Sequence, residues 1–210
     1  MKENKVTFKS GELTLEGMIA LPGGAGSHRA AVVCHPHPLY GGSMYNNVVD
    51  AALEALWARR FATLRFNFRG VGRSEGEFDN GRGEADDAIA AVRFLTAHEG
   101  VKAADALLAG YSFGAATALR AAANTEAVAA IVAIALPLGM IDPSVLGAIS
   151  KPIVLVAGDQ DSYCPAEHLT ALAERLGPLA RLKIIPGADH FFGGREHAIV
   201  AALGEALATL

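Results

Sequence analysis

Cysteine is scarce in this sequence of 210 residues, and neither sign of charge is in large excess. The two cysteines, Cys34 and Cys164, are too few for a disulfide framework, and they do not form a C-x-x-C pair. We expect both to be buried or half-buried thiols in a reducing compartment. The net charge of −4 gives no basis for a nucleic-acid partner or for binding to an anionic membrane.

Long hydrophobic runs are missing as well. The longest apolar stretch covers residues 128–141 and contains Pro137, so it is too short and too interrupted to cross a bilayer. The first five residues are rich in charge, and no apolar signal core follows them. The sequence therefore predicts a cytoplasmic protein with no membrane partner, and it leaves the oligomeric state open.

What the chain does contain is apolar sequence in short blocks. Hydrophobic residues make up 51% and charged residues 19% of the chain, which suits a compact soluble α/β domain. Residues 6–8 and 13–19 alternate at period two on either side of Ser10-Gly11, and this pattern predicts an antiparallel hairpin. Beyond the hairpin, strands are predicted at about 30–34, 61–68, 106–109, 128–136, 151–157 and 181–185, and helices at about 43–60, 84–99, 115–123, 165–176 and 195–210.

The order of these blocks predicts the fold class. Covered strands that alternate with helices indicate an α/β fold with a mostly parallel, doubly wound sheet, and the hairpin is expected at one edge of it. No repeat or linker divides the chain, so residues 1–210 are predicted to form one domain. Only about 15 residues separate the strands that end near 136 and begin near 152, which leaves no room for a lid domain. Ser43 is expected to cap the first helix.

One stretch between a predicted strand and a predicted helix carries the chemistry. Residues 110–114 read Gly-Tyr-Ser-Phe-Gly, and G-x-S-x-G in this context predicts a nucleophile elbow. Gly110 and Gly114 give the strained turn room, and the hydroxyl of Ser112 would stand beside a helix N-terminus that favours negative charge. The alternative is a serine that only caps the helix. We predict that Ser112 is a nucleophile.

A serine hydroxyl needs a base within hydrogen-bond reach, and the base needs an acid to orient it. In a parallel sheet these groups gather in the loops that follow strands. Of the seven histidines, only His35, His37 and His190 follow predicted strands. The chain order Ser…Asp…His then selects His190 as the base. The alternative role for His190 is that of a buried histidine bonded to backbone.

The acid is expected in a loop between Ser112 and His190. Asp159 and Asp161 directly follow the predicted strand 151–157, and we predict Asp161, because the extra residues let its side chain reach back toward the histidine. Asp159 is expected to bond its own turn. Asp189 is adjacent to His190 in sequence, so their side chains point apart.

Two backbone N–H groups are needed to bind the oxyanion that forms on attack. The residue after the nucleophile, Phe113, is predicted to supply one of them. The second is expected from the loop after Cys34. Because prolines have no N–H, the candidates in that loop are His37, Leu39 and Tyr40, and we predict Leu39.

Several apolar side chains lie in or near the loops that face this site. Tyr40, Met44, Leu138, Tyr163 and Phe191 are predicted to line an acyl pocket, and the alternative is that they only close the edge of the core. No metal site is predicted, since His35 and His37 have no third ligand at a plausible spacing. No cofactor is predicted either, because the glycine-rich residues 70–72 do not complete a dinucleotide motif.

Five blocks in a fixed order give the sequence a family resemblance. They are HPHPLYGG at 35–42, RFNFRGVGRS at 65–74, GYSFG at 110–114, GDQD at 158–161 and GADHFF at 187–192. Over essentially the whole chain the sequence resembles the α/β-hydrolase superfamily, and within it the small, lidless bacterial hydrolases of the dienelactone-hydrolase-like and carboxylesterase-like group.

The resemblance implies further site assignments. The last residue of the family pattern G-x-x-D is the triad acid, which corresponds to Asp161. The oxyanion pattern H-G-x-x-G is matched by residues 37–41 with proline in place of glycine, and this match favours Leu39. Dienelactone hydrolases proper use a cysteine nucleophile, and Ser112 departs from that, which puts their particular substrate in doubt.

These observations predict a carboxylesterase-type serine hydrolase of class EC 3.1.1. It is expected to cleave a small-molecule carboxylic ester, with a short acyl group, through a Ser–His–Asp triad and an acyl-enzyme. One alternative is a thioesterase or amide hydrolase with the same triad. The other is a non-catalytic module that binds a small molecule on the same fold.

Overall fold

A computed structural model of the protein describes residues 1–23, 28–101 and 103–209. In this part of the chain eight strands form one sheet, in the spatial order β1-β2-β4-β3-β5-β6-β7-β8. The strands are β1 Glu3–Ser10, β2 Leu13–Ala20, β3 Ala30–Cys34, β4 Ala62–Phe66, β5 Ala106–Tyr111, β6 Val128–Ile134, β7 Ile153–Gly158 and β8 Ala180–Ile185. The helices are α1 Asn47–Ala58, α2 Arg82–Ala97, α3 Phe113–Ala122, α4 Pro143–Gly147, α5 Ala166–Leu176 and α6 Glu196–Ala206.

The predicted fold class is confirmed. Strand β1 pairs antiparallel with β2, and β2 pairs antiparallel with β4, so the hairpin lies at one edge of the sheet. From β4 to β8 all neighbouring strands are parallel. Between β6 and β7 the chain forms only a short turn, Leu138–Met140, and the five-residue helix α4.

Helices cover both faces of the sheet, which explains why its central strands are continuous apolar runs. Alternate residues of β3 point to opposite faces. Val32 and Cys34 join the core beneath α2, α3 and α5, whereas Ala31 and Val33 join the core beneath α1 and α6. No helix in the described part of the chain combines the length and the apolar character that a bilayer span requires.

The structure corrects some predicted helix ends. Helix α1 is capped by Asn46, whose side-chain oxygen accepts the N–H of Val48, and not by Ser43. The reason is that residues 43–46 form a turn of their own before the helix begins. The closing helix ends at Ala206 and continues as a short 3-10 turn, Leu207–Thr209, while Leu210 lies outside the described residues.

Parallel pairing brings four loops together at one edge of the sheet. The carboxyl ends of β3, β5, β7 and β8 lie at this edge, with Cys34 opposite Gly110 and Gly158 opposite Ile185. The loop 35–42 follows β3 and is called here the His37 loop. The loop 186–192 follows β8 and is called the His190 loop. Ser112 lies between them, after β5.

Candidate active site

Ser112 forms a sharp turn between β5 and α3. Its backbone has φ 54° and ψ −119°, a conformation that costs a non-glycine residue free energy and that is typical of functional sites. The turn depends on its two flanking glycines. A Cβ at Gly114 would lie 2.5 Å from the backbone oxygens of Cys34 and His35, and a Cβ at Gly110 would collide with the Gly114 carbonyl. The hydroxyl is therefore raised at the carboxyl edge of the sheet.

The three residues predicted as nucleophile, base and acid form a row in which each lies within hydrogen-bond distance of the next. Ser112 Oγ is 3.0 Å from His190 Nε2, and His190 Nδ1 is 2.8 Å from Asp161 Oδ2. Asp161 and His190 are buried, whereas Ser112 is partly exposed. The row can carry a proton from the hydroxyl to the imidazole while the carboxylate holds the opposite ring nitrogen.

The Asp161 carboxylate is held from both sides. Its Oδ1 accepts the backbone N–H groups of Tyr163 and Cys164, and its Oδ2 faces His190. Burial raises the pKa of the Asp161 carboxyl, but the hydrogen bonds from His190, Cys164 and Tyr163 outweigh burial, so its pKa lies below the ordinary value. The carboxylate is thus ionised at neutral pH.

Asp159 has a different role from the one expected of it. Its carboxylate accepts the N–H of Gly187 in the His190 loop, rather than a group of its own turn. Parallel pairing of β7 with β8 explains the difference, because the loops after these two strands lie side by side. Asp159 therefore ties the two loops together at their exposed side.

Sequence reasoning missed Tyr111, which precedes the nucleophile. Its hydroxyl donates a 2.9 Å hydrogen bond to the backbone oxygen of His190. Burial is the main reason that the pKa of the Tyr111 hydroxyl is raised, so the group stays protonated and remains a donor. The end of β5 thus positions Ser112 and also holds the backbone of His190. The position before the serine was visible in the motif, but its partner 79 residues away was not.

Helix α3 begins at Phe113, so the N–H of Phe113 lies at the helix N-terminus, next to Ser112. The second predicted donor, Leu39, is engaged inside its own loop. Its N–H donates to His37 Nδ1 at 3.2 Å. Because this amide already has an acceptor, Leu39 is not the free donor that the sequence predicts.

The His37 N–H is the alternative. Pro36 and Pro38 have no N–H, and the amides of Tyr40, Gly41 and Gly42 donate to carbonyls within the loop. Within residues 36–42, all of them described, the N–H of His37 is thus the one amide with no acceptor in the structure. The imidazole of His37 packs on Phe113, with ring centroids 4.8 Å apart, so this loop lies against the elbow.

His35 is a second residue that sequence reasoning left without a role. It is fully buried at the end of β3, and its Nε2 accepts the N–H of Phe68, while its Nδ1 lies 2.6 Å from the Pro36 carbonyl. Since Nε2 accepts a hydrogen bond, the proton of the neutral ring is on Nδ1 and is donated to Pro36. Burial lowers the pKa of His35 to about 4. His35 joins the start of the His37 loop to the loop after β4.

The five residues predicted for the pocket fall into two groups. Tyr40, Tyr163 and Phe191 are exposed, and Leu138 is half-buried at the turn after β6. Met44 is only 1% exposed, because its backbone is held by Asn67 and Arg65 inside the protein. Met44 therefore presents no surface to a substrate, which corrects its predicted place in the pocket.

A small surface pocket lies beside Tyr163 and is also lined by Leu138 and Leu169. A second surface pocket lies by Ile131 and Lys151, near the start of β6 and β7, and so at the opposite end of the sheet. The Lys151 ammonium there is bonded to backbone carbonyls at the end of α3. We therefore place the site at the carboxyl edge.

One group of side chains at the site has the residue types of a metal centre. Ligand atoms of Asp161, Cys164 and His190 lie within 4.8 Å of one another. A metal would need the thiolate of Cys164, but burial raises the pKa of this thiol to about 12, and its Sγ donates to the Ala135 carbonyl. The donor set fits a hydrogen-bonded row better than a metal ion.

Comparison with known proteins identifies the family of this chain. Residues 75–206 match the model of the dienelactone hydrolase family. The chain belongs to this family. The sequence is also 38% identical to an uncharacterised protein of Rickettsia prowazekii over 188 residues, which are 86% of this chain and 79% of that protein.

Solved structures support membership of the α/β-hydrolase superfamily. A serine hydrolase homologue from Coxiella burnetii is 34% identical, with a TM-score of 0.87 over 99% of this chain and 98% of that one. A serine hydrolase without a lid from Xanthomonas campestris is 33% identical, with a TM-score of 0.87 over 99% of this chain and 94% of that one. This member of the dienelactone hydrolase family is thus a hydrolase with the lidless fold.

Proposed function

We propose that the protein hydrolyses carboxylic esters with short acyl groups, as a carboxylesterase of class EC 3.1.1. The observation that carries the proposal is the unbroken row of hydrogen-bond distances, 3.0 Å from Ser112 to His190 and 2.8 Å from His190 to Asp161. Such a row supplies the activated nucleophile, the base and the orienting acid that acyl transfer needs.

In the proposed mechanism, Ser112 Oγ attacks the ester carbonyl and His190 Nε2 takes the hydroxyl proton. The tetrahedral oxyanion accepts hydrogen bonds from the N–H groups of Phe113 and, in place of Leu39, His37. Collapse breaks the bond to the alcohol, which leaves with the proton from His190, and the acyl group stays on Ser112. Water then attacks the acyl-enzyme by the same route and releases the acid.

The preference for short acyl groups follows from the open site. Between β6 and β7 there is only the turn 138–140 and the short helix α4, so this connection forms no lid over the site. A long acyl chain would remain largely in water there, and binding energy from apolar burial would be correspondingly small. No group on this path requires a cofactor, and we propose a mechanism without one.

We also propose that residues 1–210 act as one domain in the cytoplasm. All eight described strands belong to a single sheet, which supports a single folding unit. Cys34 and Cys164 are both free and buried, as expected of a protein that folds in a reducing compartment.

The direct test is labelling by a fluorophosphonate probe together with hydrolysis of p-nitrophenyl acetate. The wild-type protein should label stoichiometrically and release p-nitrophenol in a burst. Ser112→Ala should abolish labelling and lower kcat by roughly 10⁴- to 10⁶-fold. Ser144→Ala, at an exposed serine in α4, is the matched control and should retain both properties.

Folded wild-type protein that neither labels nor turns over any ester would favour the binding-module alternative. Retained activity in Ser112→Ala would show that the chemistry lies elsewhere. Acetyl thioesters assayed in competition with oxygen esters would show which of the two acyl donors the site prefers.

A further inference from the structure

Two large, exposed aromatic side chains lie next to each other beside His190. Tyr163 is 68% exposed and Phe191 is 60% exposed. Their ring centroids lie 5.0 and 5.6 Å from that of His190, and 6.3 Å from each other at an interplanar angle of 76°. The two rings and the imidazole therefore form a corner that is open to solvent.

The backbone beneath both rings is fixed by the residues of the site. The N–H of Tyr163 donates to the Asp161 carboxylate, and the N–H of Phe191 donates to Asp189. These bonds are made by the backbone and would form with any side chain, so they do not explain why aromatic residues occupy the two positions. Exposed aromatic rings on a rigid support are typical of a binding surface.

The direction of proton transfer decides which part of an ester meets these rings. His190 Nε2 faces Ser112 Oγ, and the same nitrogen must protonate the leaving alcohol oxygen. The alcohol therefore lies against the imidazole during acylation. The oxyanion points the other way, toward the amide of Phe113 at the start of α3. Since Tyr163 and Phe191 both lie beside this imidazole, we expect them on the alcohol side of the scissile bond.

We propose that the natural substrates are esters whose alcohol part carries an aromatic ring, which binds in the corner formed by Tyr163 and Phe191. This inference rests on the proposed esterase function. An aromatic ring can pack edge to face on one side chain and offset on the other.

The test compares two acetate esters that differ only in the ring. Benzyl acetate and cyclohexylmethyl acetate give the same acetyl-enzyme, so a difference in kcat/KM reports the alcohol part in the acylation step. For the wild-type protein we expect benzyl acetate to be favoured by about 5- to 10-fold, the size of one or two aromatic contacts. This measurement needs no variant.

Variants then test whether Tyr163 and Phe191 cause the preference for benzyl acetate. Replacing both rings, Tyr163→Leu with Phe191→Leu, should bring the ratio of the two kcat/KM values close to one, and each single change should lower it in part. Tyr45→Leu is the matched control: Tyr45 is exposed but packs beside Arg65, so the ratio should be unchanged.

A second pair of esters tests whether the preference is specific to the alcohol part. Methyl phenylacetate and methyl cyclohexylacetate place the same two rings on the acid, and their kcat/KM values should be equal within about twofold. Labelled, active enzyme with no preference for benzyl acetate would overturn the inference alone. A preference that survives in the double variant, or one confined to the acyl pair, would overturn it as well. If the protein neither labels nor hydrolyses any of these esters, the proposed function fails and takes this inference with it.

Discussion

The two loops beside Ser112 are held in opposite ways. The His190 loop is bonded to several other elements. Tyr111 donates to its backbone at His190, Asp159 accepts its N–H at Gly187, and the N–H of Gln160 donates to its carbonyl at Ala188. The imidazole itself faces Asp161. The position of the base is therefore fixed by tertiary contacts with the ends of β5 and β7.

The His37 loop is held mainly by its own bonds. The amides at Leu39, Tyr40, Gly41 and Gly42 all donate within the loop. Its first residue, His35, provides the buried connection to the loop after β4. His190, the proposed base, thus depends on distant partners, whereas the N–H of His37, the proposed oxyanion donor, depends on the local shape of one loop. The variants below test this difference, from the largest effect to the smallest.

Asp161→Asn should cause the largest loss of activity, because it changes the partner of the His190 imidazole. The asparagine oxygen can still accept the amides of Tyr163 and Cys164, but its NH₂ group would face His190 Nδ1 and favour the wrong tautomer. We expect kcat to fall by about 10⁴-fold in the ester assay, with the fold intact by circular dichroism. Asp159→Asn is the matched control, since its oxygen can still accept the Gly187 N–H, and kcat should stay within about fivefold. Equal losses in both variants would contradict the assignment of the acid.

His37→Pro tests the oxyanion donor. The backbone of His37 has φ −56°, which proline adopts without strain, so the change removes the N–H with little effect on the loop path. His37→Ala is the control that loses the imidazole but keeps the amide. The proline variant should have a kcat about 10²- to 10³-fold below that of the alanine variant. Similar kcat values in the two variants would return the role to Leu39, whose amide loses its imidazole acceptor in both.

The unfolding free energy should depend on pH through His35. Burial lowers its pKa to about 4 from 6.5, so the unfolded chain takes up this proton first as the pH falls. The stability contributed by the neutral ring is complete above pH 6.5 and is lost as the pH falls toward 4. Between these limits the wild-type protein should lose on the order of 3 kcal/mol more than His35→Gln in urea unfolding. The same change at the exposed His168 should leave the pH dependence unaltered; parallel curves for wild type and His35→Gln would contradict the prediction.

Tyr111→Phe should have the smallest effect on the His190 side, because the other bonds of the loop remain. Loss of the hydroxyl leaves the buried His190 carbonyl without its donor and loosens the base. We expect kcat to fall by about 10-fold with KM unchanged, and fluorophosphonate labelling to slow by the same factor. A change in melting temperature with no change in kcat would show that Tyr111 supports only the fold. Tyr45→Phe provides the comparison for loss of a hydroxyl at an exposed site.

Much of the architecture was predictable because it depends on local sequence patterns. Continuous apolar runs indicated strands covered on both faces, and period-two alternation indicated the hairpin. Chain order together with position after a strand led to Ser112, Asp161 and His190, which the structure brings within hydrogen-bond distance. Their catalytic roles stay predictions until the variants are measured.

The errors have a common cause. The expected cap at Ser43, the exposed side chain at Met44 and the free amide at Leu39 each depended on how a loop folds back on itself, and prolines and glycines allow more than one path. Asn46 caps the helix instead of Ser43, and the imidazole of His37 accepts the N–H of Leu39. Sequence spacing alone does not distinguish these arrangements.

The amino-acid order determined which side chains reach the carboxyl edge of the sheet, because strand periodicity and the handedness of parallel connections leave few other ways to fold such a chain. Packing in three dimensions determined which atoms meet there. The bond from Tyr111 to His190 and the bond from His35 to Phe68 join residues 79 and 33 positions apart. Hydrogen bonds form only where distance and direction agree to within fractions of an ångström, and at such separations no sequence pattern specifies that agreement.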